Sequence, residues 1–230
     1  MTRHVEPHDR FEGVYWVEVE GKRHLATENL TPSHMVYGER LVREGSREFR
    51  LWSHHRSKLA AAIIKGIPEI FIGRASRVLY LGSATGTTAS HVSDIVGIEG
   101  MVYGVDFSPK VMQQFIRNVC ERRRNVVPIL ADANNPAKYV GIVGAVDVLY
   151  CDVAQPEQAK IVAENARLML TRGGGALVAV KARSIDSVED PARVIEREVD
   201  VLKGYGFRVM ASVDLEPFER DHVMVAAVYG

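Results

Sequence analysis

The chain has 230 residues, 47% of them hydrophobic, and balances 29 Lys and Arg against 29 Asp and Glu. That length and apolar share bury a full core and fit one domain with a modest appendage, while zero net charge excludes a protein that grips nucleic acid unaided through a broadly basic surface. No run approaches the roughly 18 apolar residues of a membrane span, Met-Thr-Arg-His-Val-Glu at the amino terminus lacks the apolar centre of a signal peptide, and Cys120 and Cys151, in a predicted helix and a predicted strand, read as buried thiols of a reducing compartment, with the cytoplasm as the expected location.

Residues 1–52 differ in texture from the rest. Phe11 to Glu20 carries Val14, Tyr15, Trp16, Val17 and Val19, Gly21-Lys22 reads as a turn into Arg23 to Thr27, and Glu48 to Trp52 alternates again. The expected structure is a small antiparallel β unit, either a lid over one edge of a main sheet or a docking surface for a partner. Residues 53–230 form the second unit. Ser57 is a candidate N-cap for an Ala-rich helix that starts at Lys58 and turns Leu59, Ala62 and Ile63 inward. A lysine at a helix start opposes the macrodipole, a local misfit of the kind that marks functional positions. The pair His54-His55 has no second cluster at ligand spacing, so no metal site is expected there.

The chain is organised around Val78 to Asp94. Val78-Leu-Tyr-Leu81 reads as a buried parallel strand, and Ala89, Val92, Ile95 and Val96 recur at helical spacing after Gly86. Gly82 permits a sharp turn off the strand, Gly86 lets a ligand approach the backbone, and the following helix offers unpaired N–H groups with partial positive charge. An anionic group belongs at such a place. The loop is neither the dinucleotide fingerprint nor the phosphate loop, because its glycines are spaced Gly-x-x-x-Gly, with Thr87-Thr88 in place of Lys-Ser. It resembles the loop of S-adenosylmethionine-dependent methyltransferases, where the methionine carboxylate is the anion, and Thr87 and Thr88 offer hydroxyl donors. A strand-to-helix turn without a ligand is the alternative for this stretch alone.

Met101 to Val105 is the second predicted strand and ends in Asp106, about 20 residues after the glycine loop, where a carboxylate accepts from ribose hydroxyls and Phe107 lies against a base. Ser108-Pro109 opens a helix with Val111, Met112, Phe115, Ile116 and Val119 as its stripe, and Arg122 to Arg124 close it as a solvated, dipole-complementing end or as an RNA contact. Val126 to Leu130 is the third strand. Asp132 at its end can accept from an adenine amino group while the Ala133 N–H donates to a ring nitrogen. Val146 to Cys151, the fourth strand, runs into Asp152-Val153-Ala154-Gln155-Pro156. Three acids and the glycine loop at carboxyl strand ends share one edge of the sheet, where open α/β sheets bind ligands. Pro156 is expected to open a helix to about Leu170, Gly173 to Gly175 to break it, and Ala176 to Val180 to form a fifth strand ending at Lys181, whose side chain either snorkels to solvent or points into the cleft. Asp190-Pro191 caps a helix with Val194, Ile195, Val199 and Leu202 inward and Gly204 as its stop, and Phe207 to Leu215 and His222 to Tyr229 close the chain as an antiparallel strand pair.

Four segments together resemble the fibrillarin family: Arg56-Ser57-Lys58-Leu-Ala-Ala-Ala-Ile, Val78 through Gly97 with its Gly86-Thr87-Thr88 loop, Asp152-Val153-Ala154-Gln155-Pro-Glu-Gln-Ala, and Glu216-Pro-Phe-Glu-Arg-Asp-His222. The resemblance runs from about residue 11 to the carboxyl end. A Gly/Arg-rich extension typical of eukaryotic members is absent, so the chain is expected to be of the archaeal form. The resemblance implies an α/β, class I S-adenosylmethionine methyltransferase fold, with a Rossmann-like sheet and a small amino-terminal β unit. It implies an RNA ribose 2′-O-methyltransferase acting on guide-selected rRNA, and on tRNA as a further substrate, within a box C/D ribonucleoprotein. There a guide RNA chooses the nucleotide of the target RNA, and a Nop5-type scaffold protein and a kink-turn-binding ribosomal-type protein position the enzyme. By the same resemblance S-adenosyl-L-methionine is held by Gly82, Ala84, Gly86, Thr87, Thr88, Asp106, Phe107, Asp132, Ala133 and Asp152 to Gln155, and Lys58, Asp152, Lys181 and His222 match the family's Lys-Asp-Lys-His set. Two departures stand out: Ser53-His54-His55 replaces the common Asn-Pro-Phe, and Asp106 replaces a common Glu.

Methyl transfer to a ribose hydroxyl is an in-line displacement, so alignment supplies most of the acceleration and the hydroxyl must lose a proton. Lys181 is the expected nearest group, made a better base by desolvation and by like charge from Lys58, with Asp152 orienting the lysine and the methyl donor and His222 as base, orienter or RNA contact. The competing readings are a non-catalytic assembly subunit and a free-standing methyltransferase of small molecules.

Overall fold

A computed structural model describes residues 4–230. The amino-terminal sheet contains β1 (Val5–Pro7), β2 (Val14–Val19), β3 (Lys22–Glu28), β4 (Leu41–Glu44) and β5 (Arg47–Leu51), in the order β1-β2-β3-β5-β4 with every pairing antiparallel. Val19 pairs with Lys22, so the β2–β3 connection is the two-residue loop Glu20-Gly21, both at positive φ (54° and 74°), the geometry that matches strand twist. β1 and β4 are too short and polar to announce themselves in sequence; edge pairing recruits them.

The second unit begins with α1 (Lys58–Ile64) and continues β6 (Arg77–Leu81), α2 (Thr87–Val96), β7 (Met101–Asp106), α3 (Pro109–Phe115) with a wider turn over Ile116–Cys120, and β8 (Val126–Leu130). It then runs through α4 (Val140–Val143), β9 (Val146–Cys151), α5 (Gln158–Met169), β10 (Leu170–Lys181), α6 (Ala182–Ile185), α7 (Pro191–Gly204), β11 (Phe207–Asp214) and β12 (His222–Tyr229). The seven strands order as β11-β12-β10-β9-β6-β7-β8, parallel from β10 to β8, with β12 antiparallel to both its neighbours. The chain builds outward from β6 through β7 to β8 and then returns to build β9 and β10 on the other side. The β6–β9 boundary is therefore the switch point, where adjacent loops part and leave a crevice.

Strand alternation divides the interior. Val78, Tyr80, Val102, Val148 and Tyr150 pack beneath α1, α2 and α3, whereas Leu79, Leu81, Tyr103, Leu149 and Cys151 pack beneath α5 and its neighbours. Phe11, Val14, Leu25 and Trp52 of the amino-terminal unit share the first of these cores with Ala89, Val92 and Ile95 of α2. The small sheet thus covers α2 and not an edge of the main sheet, the lid that is one of the two expectations from sequence.

Several boundaries differ from expectation. Helix α5 starts at Gln158 rather than Pro156, and Gly173 to Gly175 lie inside β10, where the pairing with β9 shifts register between Leu170 and Gly175. Gly204 is the last residue of α7, and the positive-φ turn beyond it is made by Gly206 (φ 88°). Arg123 is not solvated: its guanidinium is buried against Asp94 at 2.5 Å. Arg50, from β5, donates to the other oxygen of Asp94 at 2.8 Å and to Glu39 at 2.6 Å, so a buried ionic cluster bolts the amino-terminal sheet to α2. Burial pushes the thiols of Cys151, fully buried, and Cys120, half-buried, up to about 12. Among the described residues no helix is long and apolar enough to cross a membrane, and no group of three or more His, Cys, Asp and Glu is arranged to hold a metal ion.

Candidate active site

The carboxyl ends of β6, β7, β8 and β9 surround a cleft of about 310 Å³ lined by Gly82, Ala84, Asp106, Phe107, Ala133 and the run Asp152 to Gln155, together with Val105 and Ala131. Gly82 leaves β6 at φ 81°, and a side chain there would overlap the Asp152 carbonyl of the neighbouring strand end. Its glycine is demanded twice over, by conformation and by the close approach of two backbones. Gly86 has a packing reason that the sequence did not show. It sits at φ 98° as the residue before α2, and a side chain there would collide with Val119 and Phe115, so close packing against α3 also demands glycine at this position.

Asp106 organises the loop. One carboxylate oxygen accepts from the Ala84 N–H at 3.1 Å and the other from the Ser108 N–H at 3.0 Å, fixing the glycine loop to the start of α3. Each oxygen retains a lone pair for a ligand. Asp132 is half-buried outside the cleft lining and is linked to it through Gln155, whose amide donates at 3.3 Å. The Asn134 N–H, at 2.9 Å, is the main reason its carboxyl is held below the usual carboxylate range. Phe107 presents an exposed ring at the rim. Thr88 departs from expectation: it is buried, and its hydroxyl donates to Ser57 Oγ at 2.9 Å, tying the start of α2 to the cap of α1. Thr87 and Gly86 also lie outside the lining of the cleft.

Lys58 Nζ lies 2.9 Å and 3.0 Å from the two oxygens of Asp152. The misfit seen in sequence is resolved here, because the carboxylate of a residue 94 positions away offsets a lysine at the positive end of α1. With its charge met by Asp152, Lys58 is a weaker source of like charge on Lys181 than the sequence argument assumed. Lys181 ends β10, next to β9 in the sheet, and is the direct cross-strand partner of His222, so the two side chains share one face. Its N–H donates to Gln158 Oε1 at 3.1 Å. His222 is buried, with Nδ1 2.7 Å from the Arg220 carbonyl. A carbonyl only accepts, so Nδ1 carries a hydrogen, which leaves Nε2 as the ring nitrogen that can act as acceptor.

Two participants escaped sequence reading. Gln158 bonds the Lys181 N–H and the Val153 and Ala179 carbonyls, and its signal was a polar residue on the inward stripe of α5. Ser83, within the glycine loop, keeps a buried hydroxyl without a partner, as does the Gln155 side-chain oxygen in the cleft wall.

A sheet of this strand order, with a glycine turn at its switch point and acids closing successive strands, defines the Rossmann-like fold of class I methyltransferases. The fibrillarin family model matches residues 5–230. A fibrillarin-like rRNA/tRNA 2′-O-methyltransferase of Methanopyrus kandleri is 51% identical over 226 residues, 98% of this chain and 97% of the relative. A crystal structure of Aeropyrum pernix fibrillarin in complex with natively bound S-adenosyl-L-methionine matches with a TM-score of 0.92 at 51% identity, covering 98% of each chain. A crystal structure of a fibrillarin/Nop5p complex matches at 0.86 and 37% identity, covering 98% of this chain and all of the other. The chain belongs to the fibrillarin family.

Proposed function

We propose that the chain is an RNA ribose 2′-O-methyltransferase that uses S-adenosyl-L-methionine and works as the catalytic subunit of a box C/D guide ribonucleoprotein. The observation that carries this reading is the Lys58–Asp152 pair at the mouth of the switch-point cleft, with Lys181 and His222 side by side on neighbouring strands. The residues of the cleft fit the cofactor. Asp106 accepts from hydroxyl donors, Asp132, joined to the wall through Gln155, is the acceptor we place for an amino donor, the apolar Val105, Ala131 and Ala133 suit a flat base, and the Ser83 hydroxyl and Gln155 oxygen are buried polar atoms that lack a partner.

When bound, the cofactor supplies a methyl group on a positively charged sulfur, so departure of the neutral thioether needs no acid. What remains for the protein is alignment and removal of the hydroxyl proton. Asp152, held by Lys58, fixes the end of β9 against the glycine turn. Lys181 holds the incoming 2′-hydroxyl and takes its proton, and Gln158 fixes the backbone beneath it. A second assignment of the base rests on one observation: the His222 hydrogen bond to Arg220 leaves Nε2 free to accept.

Zero net charge supports delegation of RNA choice to a guide RNA, a Nop5-type scaffold and a kink-turn-binding protein, since the chain carries little surplus charge for phosphates. The fibrillarin/Nop5p structure supports the scaffold as a partner. We take residues 1–52 as an accessory β unit, residues 53–230 as the methyltransferase unit and the cytoplasm as the place of action. The test is transfer of a labelled methyl group to a guide-complementary RNA, with and without the assembled particle. The expected product is a single nucleotide resistant to alkaline cleavage, formed in the particle and poorly by the chain alone. No transfer in the particle would make the chain an assembly subunit, and efficient transfer to a small molecule without RNA would make it a free-standing enzyme.

A further inference from the structure

A second cleft, of about 480 Å³, lies between the amino-terminal sheet and the segment that leads into α1. Its walls carry Arg23, Arg40 and Arg56, and the one acid among its lining residues, Glu39, is buried and bound to Arg50 at 2.6 Å. Arg23 and Arg40 make exposed, solvent-screened pairs with Glu6 and Glu20 at 3.3 Å and 2.9 Å, contacts weak enough for a polyanion to displace. The chain's zero net charge therefore conceals one locally basic concavity. Aromatic surface accompanies the charge. The rings of His54 and His55 are 4.1 Å apart, and Phe218, from the loop before His222, lies edge-on at 4.4 Å from His54 and 5.8 Å from His55. Trp52 is 2% exposed and lines the same cleft, stacked on His91, and its indole N–H is buried without a partner. A buried unpaired donor is costly and calls for an acceptor.

We infer that this cleft seats a strand of RNA beside the nucleotide being methylated, with the arginines on phosphates, the histidine and phenylalanine rings against a splayed base, and the Trp52 N–H on a phosphate or base oxygen. The inference rests on the methyltransferase reading above and adds to it where the substrate lies. Positive charge interleaved with stacking surface is the chemistry by which proteins hold single-stranded RNA. The placement is apt, because Arg56 precedes Lys58 by two residues, a span of at most about 7 Å. Burial, with His55 and His24 nearby, holds His54 below its ordinary pKa, so its ring stacks as a neutral imidazole at neutral pH. The imidazoles that line the cleft do not converge as a metal site among the described residues.

The test uses the assembled particle with the full chain and a target RNA carrying 4-thiouridine at the positions flanking the methylated nucleotide. Irradiation should crosslink a flanking position to the peptide containing Trp52 to Arg56 or to that containing Phe218. Arg23→Glu, at an exposed side chain that folding tolerates, should raise the KM for target RNA about tenfold and reduce its salt dependence by about one phosphate contact, leaving kcat and cofactor affinity within about threefold. His55→Ala should raise KM as well, and His55→Phe, which keeps a ring, should restore it. Crosslinks that map elsewhere in a particle that methylates, or an unchanged KM for Arg23→Glu, would overturn the inference and leave the methyltransferase reading standing. Protection of the cleft by an acidic protein segment with no RNA crosslink would do the same. A wild-type particle without activity would overturn both.

Discussion

Replacing Asp94 by alanine tests whether the amino-terminal sheet and α2 are one cooperative unit. One carboxylate oxygen of Asp94 accepts from Arg50 Nη1 and Thr27 Oγ1, each at 2.8 Å, and the other from Arg123 Nη1 at 2.5 Å and the Leu30 N–H at 3.1 Å. The side chains of Arg50, Arg123 and Asp94 are fully buried. Without Asp94, two guanidinium groups remain in the interior with Glu39 as the nearest carboxylate to Arg50. Removing one partner of a buried ion pair costs about 3–5 kcal/mol, and two stranded arginines place the loss at the upper end. In a chain of this size each kcal/mol moves Tm by about 2–4 °C, so the midpoint should fall by about 10–20 °C. Both tryptophans, Trp16 and Trp52, lie in or beside the amino-terminal sheet, so fluorescence follows that sheet while far-ultraviolet circular dichroism follows the whole chain. Urea titrations read both ways should give coincident transitions in the wild type, displaced together in Asp94→Ala. The double variant Arg50→Met/Asp94→Leu should recover little of the loss, because it leaves the buried Glu39 without Arg50 and the buried Arg123 without Asp94. A loss below about 1 kcal/mol, or a fluorescence transition that precedes the dichroism in the wild type, would refute the account of the cluster as a structural bolt.

Three further outcomes are expected. Asp106→Ala should raise the dissociation constant for S-adenosyl-L-methionine about tenfold or more, equivalent to about 1.5–3 kcal/mol of charge-assisted hydrogen bonding; calorimetry returning an unchanged constant would move the pocket elsewhere. Lys181→Ala should slow single-turnover methylation in the particle by roughly 100-fold with cofactor affinity within about threefold, Lys181→Arg should not rescue it, and a larger loss in His222→Ala would hand the base role to Nε2. Stability should fall on acidification through His91, which burial and then Arg50 and Arg123 hold well below its ordinary pKa. The unfolded imidazole takes a proton near pH 6.5 while the folded one does not, so this contribution is complete above about 6.5 and declines below it by up to about 1.4 kcal/mol per pH unit. Urea unfolding between pH 7.5 and 5.5 should show a shallower decline in His91→Gln, and equal slopes would remove His91 from the explanation.

Reading the chain residue by residue was enough for β6, β7 and β9, because Val78 to Leu81, Met101 to Val105 and Val146 to Cys151 are short, largely apolar runs followed by glycine or an acid. The same local chemistry disclosed the switch-point loop and the acids at the strand ends, since a carboxylate directly after a buried strand is already placed at the sheet's binding edge. The family's motifs supplied Lys58, Asp152, Lys181 and His222 as a set, without saying which of them touch. Tertiary structure alone decided that Lys58 is answered by Asp152 from across 94 residues, that Thr88 belongs to the α1 cap, and that Gly86 is kept small by Val119 and Phe115. It also turned Arg123 inward, from an arginine run that in sequence looks like any solvated helix end. Periodicity and turn chemistry act over a few residues and are written along the chain. Ion pairing and steric exclusion act over a few ångströms of space, so they become visible only once folding has made distant residues neighbours.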